Sequence, residues 1–254
     1  MDVRDGQWYM KGLDRNHPRR IRSPQALVRL INETGFLPLF SGDIPGFSVE
    51  EHVSAASWWT GDPQEDPWVW REILAENHEV AYGKFFRGKA GFISLKWLPV
   101  FSSVRRDGYD FQGRWEDGRA TRREKAIMDV FIAEDEEGEP IFRNTPVLSS
   151  DLASRAGFGR GGEKNFSGIL TGLQMQTFLV ISGFRQKISR KGVPYGMPVA
   201  TLLPPEALWG TEAVMPSDAL PPMEAGMRIL LHVRERFPGA GDEEIRKVLG
   251  PFPA

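Results

Sequence analysis

The sequence predicts an α+β protein built around a winged helix-turn-helix unit. Residues 122–203 follow the order helix, short helix, turn, longer helix, strand, basic loop, strand. Aromatic residues concentrate before this unit, in residues 57–101, and helical patterns follow a proline-rich stretch after it. We therefore expect three parts: an aromatic-rich N-terminal α/β domain (1–121), a winged helix-turn-helix domain (122–205) and a helical C-terminal extension (206–254).

The N-terminal part carries clear start signals for helices. A capping Ser or Asp directly before a proline typically opens a helix, because proline suits the first helical turn. Short apolar runs separated by a glycine-containing triplet are typical of a hairpin. After a polar lead-in, residues 1–22, that we expect to be loosely ordered, these patterns predict a helix from Ser23-Pro24 to Gly35, a helix from Asp66-Pro67 to about Glu76, and a hairpin of residues 82–86 and 90–93.

The remaining elements follow from apolar periodicity. Helical spacing of apolar residues predicts helices, and β-rich apolar runs predict strands. The expected helices cover residues 122–137, 150–156, 164–176, 224–237 and 242–249, and the expected strands cover residues 177–181 and 197–203, with a basic loop at 185–194 between them.

Composition excludes several classes of chemistry. The 254 residues include no cysteine, which excludes disulfides, thiolate nucleophiles and cysteine-ligated metals. The four histidines lack metal-ligand spacing, so we predict no metal. Residues 157–162 match G-x-G-x-x-G, but no strand is expected before them and residues 177–187 contain no acidic side chain. We therefore predict no nucleotide cofactor and interpret this segment as a turn between two helices.

The same composition bears on location. The first residues are charged where a signal peptide would be apolar, and no apolar stretch approaches the roughly 18–20 residues of a membrane helix. The lack of cysteine fits a reducing compartment. We expect a cytoplasmic protein with no membrane contact.

Charge distribution points to DNA as a partner, although the net charge is −2. Residues 151–200 contain seven basic and two acidic side chains. In a winged helix, the start of the second helix of the turn motif faces the major groove, and the wing lies along phosphates. The alternative is a winged helix that docks on a protein. The residues expected to contact DNA are Arg160, Lys164, Asn165, Arg185, Lys187, Arg190 and Lys191.

The aromatic segment is a candidate pocket for an unpaired base, because aromatic faces stack on bases. The alternative is an aromatic core in which Asp66 caps a helix and Arg71 pairs with it. Two amides near the end of a helix could pair with adenine or position a water, or could be an exposed polar helix end. The candidate pocket residues are Trp59, Asp66, Trp68, Trp70, Arg71, Tyr82, Lys84, Gln174 and Gln176.

Several short sequence segments together resemble a group of bacterial proteins called AlkZ-related, within the wider winged-helix family of alkylpurine DNA glycosylases. They span about residues 25–205 and read Gly35-Phe36-Leu37-Pro38-Leu39, Trp59-Thr60-Gly61, Asp66-Pro67-Trp68-Val69-Trp70-Arg71, Ala81-Tyr82-Gly83-Lys84-Phe85-Phe86, Gly91-Phe92-Ile93, Leu173-Gln174-Met175-Gln176 and Lys191-Gly192-Val193-Pro194-Tyr195-Gly196. The resemblance implies a winged-helix fold and a role with DNA, in DNA repair.

The resemblance leaves catalysis open. The glycosylases carry an early Gln-apolar-Gln or Gln-apolar-Asp motif that is thought to position water at the glycosidic carbon. Here the early region has only Gln7 and Gln25, outside that pattern, and the matching triplet Gln174-Met175-Gln176 lies late. Three functions follow: a DNA-binding protein, a DNA glycosylase acting on alkylated bases, or a protein-interaction module.

Overall fold

A computed structural model of the chain describes residues 2–4, 7–137, 140–189 and 191–250. It combines helices with small antiparallel sheets, which confirms the α+β class. The helices are α1 (Pro24–Thr34), α2 (Pro67–Asn77), α3 (Leu98–Arg106), α4 (Phe111–Glu116), α5 (Arg122–Met128), α6 (Ser149–Arg155), α7 (Phe166–Met175), α8 (Pro205–Trp209), α9 (Thr211–Val214), α10 (Pro222–Arg236) and α11 (Asp242–Leu249). The strands are β1 (Asp2–Arg4), β2 (Gln7–Tyr9), β3 (Phe36–Pro38), β4 (Val80–Phe86), β5 (Lys89–Ser94), β6 (Ile132–Glu134), β7 (Pro140–Phe142), β8 (Val147–Leu148), β9 (Val180–Ile188) and β10 (Pro194–Leu203).

The helix starts predicted at Ser23-Pro24 and Asp66-Pro67 are confirmed. The Ser23 hydroxyl accepts a hydrogen bond from the Ala26 amide at 3.1 Å, which caps α1. Gly35 ends that helix with a φ of +84°, and a Cβ there would lie 2.6 Å from the Trp97 indole nitrogen. Glycine is therefore required at this position both by the backbone conformation and by the close ring.

The first hydrophobic core surrounds the sheet β3-β5-β4. The predicted hairpin is confirmed as β4 and β5, which pair in the register Tyr82 opposite Phe92. α3 was not predicted, because Trp97 precedes it without a side-chain cap and because polar residues such as Ser102 and Arg106 are buried with its apolar ones. The C-terminal helices complete this core, since buried Ile229 of α10 and Ile245 of α11 belong to it.

The second core lies beneath the sheet β8-β10-β9 and includes α5, α6 and α7. The predicted helix over residues 122–137 is wrong beyond Met128. Fully buried Phe131 turns the chain into β6, which pairs with β7. The β-branched and aromatic residues after α5 suit this paired strand better than a longer helix. The division into three domains stays a prediction.

The described residues of the lead-in, 2–4 and 7–22, are more ordered than expected. Strands β1 and β2 pair with each other. Farther along, the Leu13 amide donates to the Val53 carbonyl at 2.8 Å and the Ile21 amide donates to the His52 carbonyl at 2.9 Å. These backbone hydrogen bonds fasten the lead-in to the first core. Among the described residues, no helix is long and apolar enough to cross a membrane.

Candidate nucleic-acid interface

The predicted basic loop is the distal part of a long hairpin. Both strands extend farther than the sequence predicts, so Arg185 and Lys187 lie on β9 rather than in the loop. Lys187 is partly exposed and opposes Tyr195 across the hairpin. Lys191 is exposed at the tip, and Arg190 lies outside the described residues. We call residues 185–195 the wing.

The base of the wing is fastened to α2. The Arg185 guanidinium forms an ion pair with the Glu76 carboxylate and donates to the Phe184 carbonyl at 2.8 Å. His78 follows the last residue of α2, and its ring nitrogen Nε2 lies 3.0 Å from the Ser182 carbonyl oxygen on β9. Arg185 is thus partly neutralised by a carboxylate, whereas Lys187 and Lys191 form no ion pair with any described residue.

The start of α7 is open to solvent. Lys164 and Asn165 are both exposed, directly before the helix, which begins two residues later than predicted. Asn165 has a φ of +66°, and its side chain lies over the first turn of α7 without making a cap hydrogen bond, since a Cβ on Gly168 would lie 2.5 Å from its Oδ1. Arg160 is exposed in the preceding turn. These exposed positive side chains beside a helix N-terminus suit a phosphate.

The second half of α7 is covered. A Cβ placed on Gly88, in the β4–β5 turn, would lie 3.3 Å from Thr171 Cγ2. The Gln174 side-chain oxygen accepts from the Lys84 amide at 3.1 Å, and Arg105 donates to the Met175 carbonyl at 2.9 Å. α7 contains no charged residue. Only the first turns of this helix and the residues before them are therefore free to meet a partner.

Asp66 is a buried helix cap. Its Oδ1 accepts from the Trp59 amide at 3.1 Å and the Trp68 amide at 2.8 Å. Its Oδ2 accepts from the Gly61 amide at 2.8 Å. Three backbone N–H groups occupy this carboxylate, and the side chain is fully buried. It therefore fixes the loop before α2 and is not directed at a ligand.

Arg71 is buried between two aromatic rings. Its guanidinium lies 3.7 Å from the Trp68 ring centre and 4.3 Å from that of Phe184. The expected pairing with Asp66 is replaced by an ion pair with Glu72 at 3.0 Å. Burial lowers the pKa of Arg71, and burial raises the pKa of the neighbouring Tyr82 to about 12. These contacts join α2, β4 and β9 in the interior.

The remaining aromatic candidates differ in how much of each ring is exposed to solvent. Trp70 is buried and its indole donates to the Pro63 carbonyl at 3.0 Å. Trp68 is partly covered by Phe40, with ring centres 6.4 Å apart. Trp59 is 51% exposed, with a φ of +59°. Of the three candidate tryptophans and the one candidate tyrosine, Trp59 alone offers a largely exposed ring at the surface of the described chain.

Gln174 in α7 and Gln176 directly after it both hydrogen-bond to neighbouring elements. Gln174 is buried, and besides accepting from Lys84 it donates to the Leu170 carbonyl at 3.3 Å. Gln176 donates to a Glu124 carboxylate oxygen at 3.1 Å. The interpretation of Gln174 as part of an exposed helix end is wrong. Its amide connects α7 with β4, a contact between residues 90 positions apart that the sequence does not reveal.

A separate cleft of about 330 Å³ lies between the exit of β3, the β4–β5 turn and α11. Its apolar wall includes Phe40, Phe47 and Phe86. Its polar lining includes Asp43, Arg87, Lys89 and Lys247, and Lys247 pairs with Asp43 at 2.9 Å. None of the nine candidate pocket residues lines this cleft. We call it the hairpin cleft.

The charges of the hairpin cleft are arranged around one carboxylate. The hydrogen bond from Lys247 lowers the pKa of Asp43 and raises that of Lys247. Arg87 donates to the Lys247 carbonyl at 3.3 Å, which keeps the β4–β5 turn against α11. In the part of the chain that the structure describes, no three histidine or acidic side chains meet as a metal site. The cleft thus offers the partly exposed Phe40 ring, backed by the buried Phe47 and Phe86, beside more cations than carboxylates.

A family profile described as AlkZ related matches residues 21–250. The chain belongs to the AlkZ-related family. Among solved structures, the Streptomyces sahachiroi DNA glycosylase AlkZ is similar, with 11% sequence identity and a TM-score of 0.41. The match covers 91% of this AlkZ-related chain and 60% of the glycosylase. No curated protein matches the chain.

Proposed function

We propose that this AlkZ-related chain is a DNA-binding protein whose residues 122–203 form a winged helix. The element order α5, β8, α6, α7, β9, β10 and the sheet order β8-β10-β9 support this fold. The β6–β7 hairpin is then an insertion between the first helix and the first strand of the unit. Family membership supports a role in DNA repair.

In this proposal, DNA contacts two exposed basic elements. Arg160 and Lys164 neutralise phosphates beside the start of α7, and Lys187 and Lys191 neutralise phosphates along the wing. Asn165 faces a base edge or a phosphate, because its side chain is exposed and makes no cap. The observation that carries the proposal is the exposure of these cations on the two elements that a winged helix directs at a duplex.

The test is a fluorescence-anisotropy titration of labelled duplex DNA at several salt concentrations. Each lost phosphate contact reduces the slope of log K against log salt by about 0.9. We expect the Lys187→Ala/Lys191→Ala variant to reduce that slope by about 1.8 and to weaken binding. The control variant Arg29→Ala/Lys96→Ala removes two exposed cations from the N-terminal part and should leave the slope unchanged. Equal losses in both variants, or no salt-sensitive binding, would refute the proposal.

A second candidate function is hydrolysis of an N-glycosidic bond, and the hairpin cleft is the observation that favours it. Its volume of about 330 Å³ lies within the range of small-ligand pockets. Its partly exposed ring, Phe40, could stack on an extruded base, and its cations could hold the flanking phosphates. Asp43, ionised beside Lys247, is the carboxylate that could activate water in this cleft.

The enzyme candidate has its own test. Alkylated duplex DNA incubated with the protein should yield abasic sites, and Asp43→Asn should abolish them while DNA binding is kept or strengthened, because the change frees Lys247 from its ion pair. The wing variant should weaken binding but retain cleavage at saturating protein. Binding of alkylated DNA with no abasic product would leave the DNA-binding function alone. A protein-docking module would show neither binding nor product.

A further inference from the structure

The outward face of α10 carries a row of exposed apolar side chains. Met223, Met227 and Leu231 are 62%, 52% and 53% exposed. Their spacing of four residues places them along one ridge of the helix. The opposite face, with Ala225, Ile229 and Val233, is buried in the first core, so α10 is packed on one side and unpartnered on the other. An ordinary protein surface exposes apolar side chains singly, whereas these three form one continuous row.

A groove runs beside this ridge. It has a volume of about 460 Å³ and is lined by Trp97, Met227, Leu231 and His232 together with charged residues. The floor is rigid, because His232 Nε2 donates to the Thr34 carbonyl at 2.8 Å and its ring centre lies 4.3 Å from that of Trp97. When two such molecules meet, the ridge of each can pack into the groove of the other.

Two opposite charges flank the ridge on one side. Glu224 and Arg228 are exposed and neither forms an ion pair with a described residue, although the Arg228 guanidinium lies 5.4 Å from the Trp97 ring centre. With a rise of about 1.5 Å per residue, Glu224 lies about 4.5 Å before Met227 along the axis and Arg228 lies about 1.5 Å after it. A two-fold axis through Met227 would thus bring each Glu224 within about 3 Å, along the axis, of the other copy's Arg228.

We propose that this face binds a second copy of the chain, with the two α10 helices antiparallel around a two-fold axis near Met227. Each Met223 then meets the other copy's Leu231, and the two Glu224–Arg228 pairs form on the same flank of the interface. The same patch serves both copies, as a two-fold dimer requires. Because these opposite charges pair with each other when an identical helix runs antiparallel, the arrangement favours a second copy over an unrelated partner.

The expected dimer is weak. α10 has 15 residues, so its face is about 22 Å long. A contact of one helix and its adjoining groove buries less than the roughly 800 Å² per partner of a standard stable interface. The dimer should therefore form reversibly with rising protein concentration, in the micromolar range and above.

Sedimentation velocity of the full chain across protein concentrations from about 1 to 200 μM tests this proposal. We expect a concentration-dependent shift from monomer to dimer that Met227→Lys abolishes. Met197→Lys changes a 69% exposed methionine on β10 instead and should leave the dimer unchanged. Circular dichroism melts of each variant check that the fold is retained, which is expected because both side chains are exposed.

Charge exchange supplies a second, independent readout. Glu224→Arg alone or Arg228→Glu alone should shift the dissociation constant upward at least fivefold, because like charges then meet across the axis. The double variant should restore the dimer, since the exchanged charges again oppose each other. A chain that stays monomeric at 200 μM, a dimer that survives Met227→Lys, or a double variant no better than the singles would each overturn the proposal.

Discussion

The buried ion pair between Arg106 and Glu206 gives a prediction about stability that can be worked from the contacts. Arg106, on α3, is 1% exposed. Its guanidinium contacts the Glu206 carboxylate of α8, donates to the Thr177 carbonyl at 2.7 Å and hydroxyl at 3.2 Å, and lies 4.6 Å from the Phe178 ring centre. This one side chain therefore joins the first core to the start of β9 and to α8.

Glu206→Leu leaves the Arg106 charge buried with two hydrogen bonds and no counter-ion. Removing one partner of a buried pair typically costs about 3–5 kcal/mol, because the remaining charge is uncompensated. For a chain of this size, that loss lowers the melting temperature by roughly 6–20 °C. The double variant Arg106→Met/Glu206→Leu removes both charges, so we expect it to lose less stability than Glu206→Leu alone.

Urea unfolding followed by circular dichroism measures these differences. The matched control is the surface pair of Arg119 with Asp107, at 2.9 Å, whose side chains are half exposed. Arg119→Ala should cost at most about 1 kcal/mol, because water screens exposed pairs. The reasoning is refuted if Glu206→Leu costs no more than this control, or if the double variant is the less stable one.

Three further outcomes follow from the contacts around α2 and β4. Asp66→Ala removes the acceptor of three backbone N–H groups and should cost about 2 kcal/mol or more of unfolding free energy in urea. The control change Asp62→Ala, at an exposed residue, should cost under about 1 kcal/mol. Equal losses would contradict the capping role of Asp66. Glu76→Gln frees Arg185 and should tighten duplex binding and steepen its salt slope by up to about 0.9, measured by anisotropy; an unchanged slope would contradict it. The pKa of Tyr82 is about 12, above the value of about 10 in the unfolded chain, so stability from this residue is complete below pH 10 and is lost as pH rises from 10 toward 12. Tyr82→Phe should flatten that decline in denaturant melts between pH 9 and 11.5, and an unaltered decline would contradict it.

Local signals in the sequence predicted the elements whose ends are fixed by their own residues. Ser23 and Asp66 cap α1 and α2 as expected, and residues 242–249 form α11 with the predicted bounds. Elements determined by burial were not predictable in this way. α3 has no side-chain cap and is buried on nearly every side, its polar residues included, and Phe131 ends α5 because it is buried against the second core.

The site was predicted less completely than the fold. Exposure of Lys164, Asn165, Lys187 and Lys191 agrees with a DNA-contacting role, which stays a proposal. The aromatic segment is mainly core, as the alternative interpretation held, because its polar groups bind backbone and each other. The hairpin cleft could not be derived, since its walls come from segments that only the tertiary fold brings together.

The central claim, that the wing and the start of α7 meet DNA, is tested most directly by hydrogen–deuterium exchange of the full chain with and without a duplex. The account predicts slower exchange in peptides covering residues 160–168 and 185–195, and little change in the covered second half of α7. Protection confined to other surfaces, with the wing exchanging equally in both samples, would contradict it.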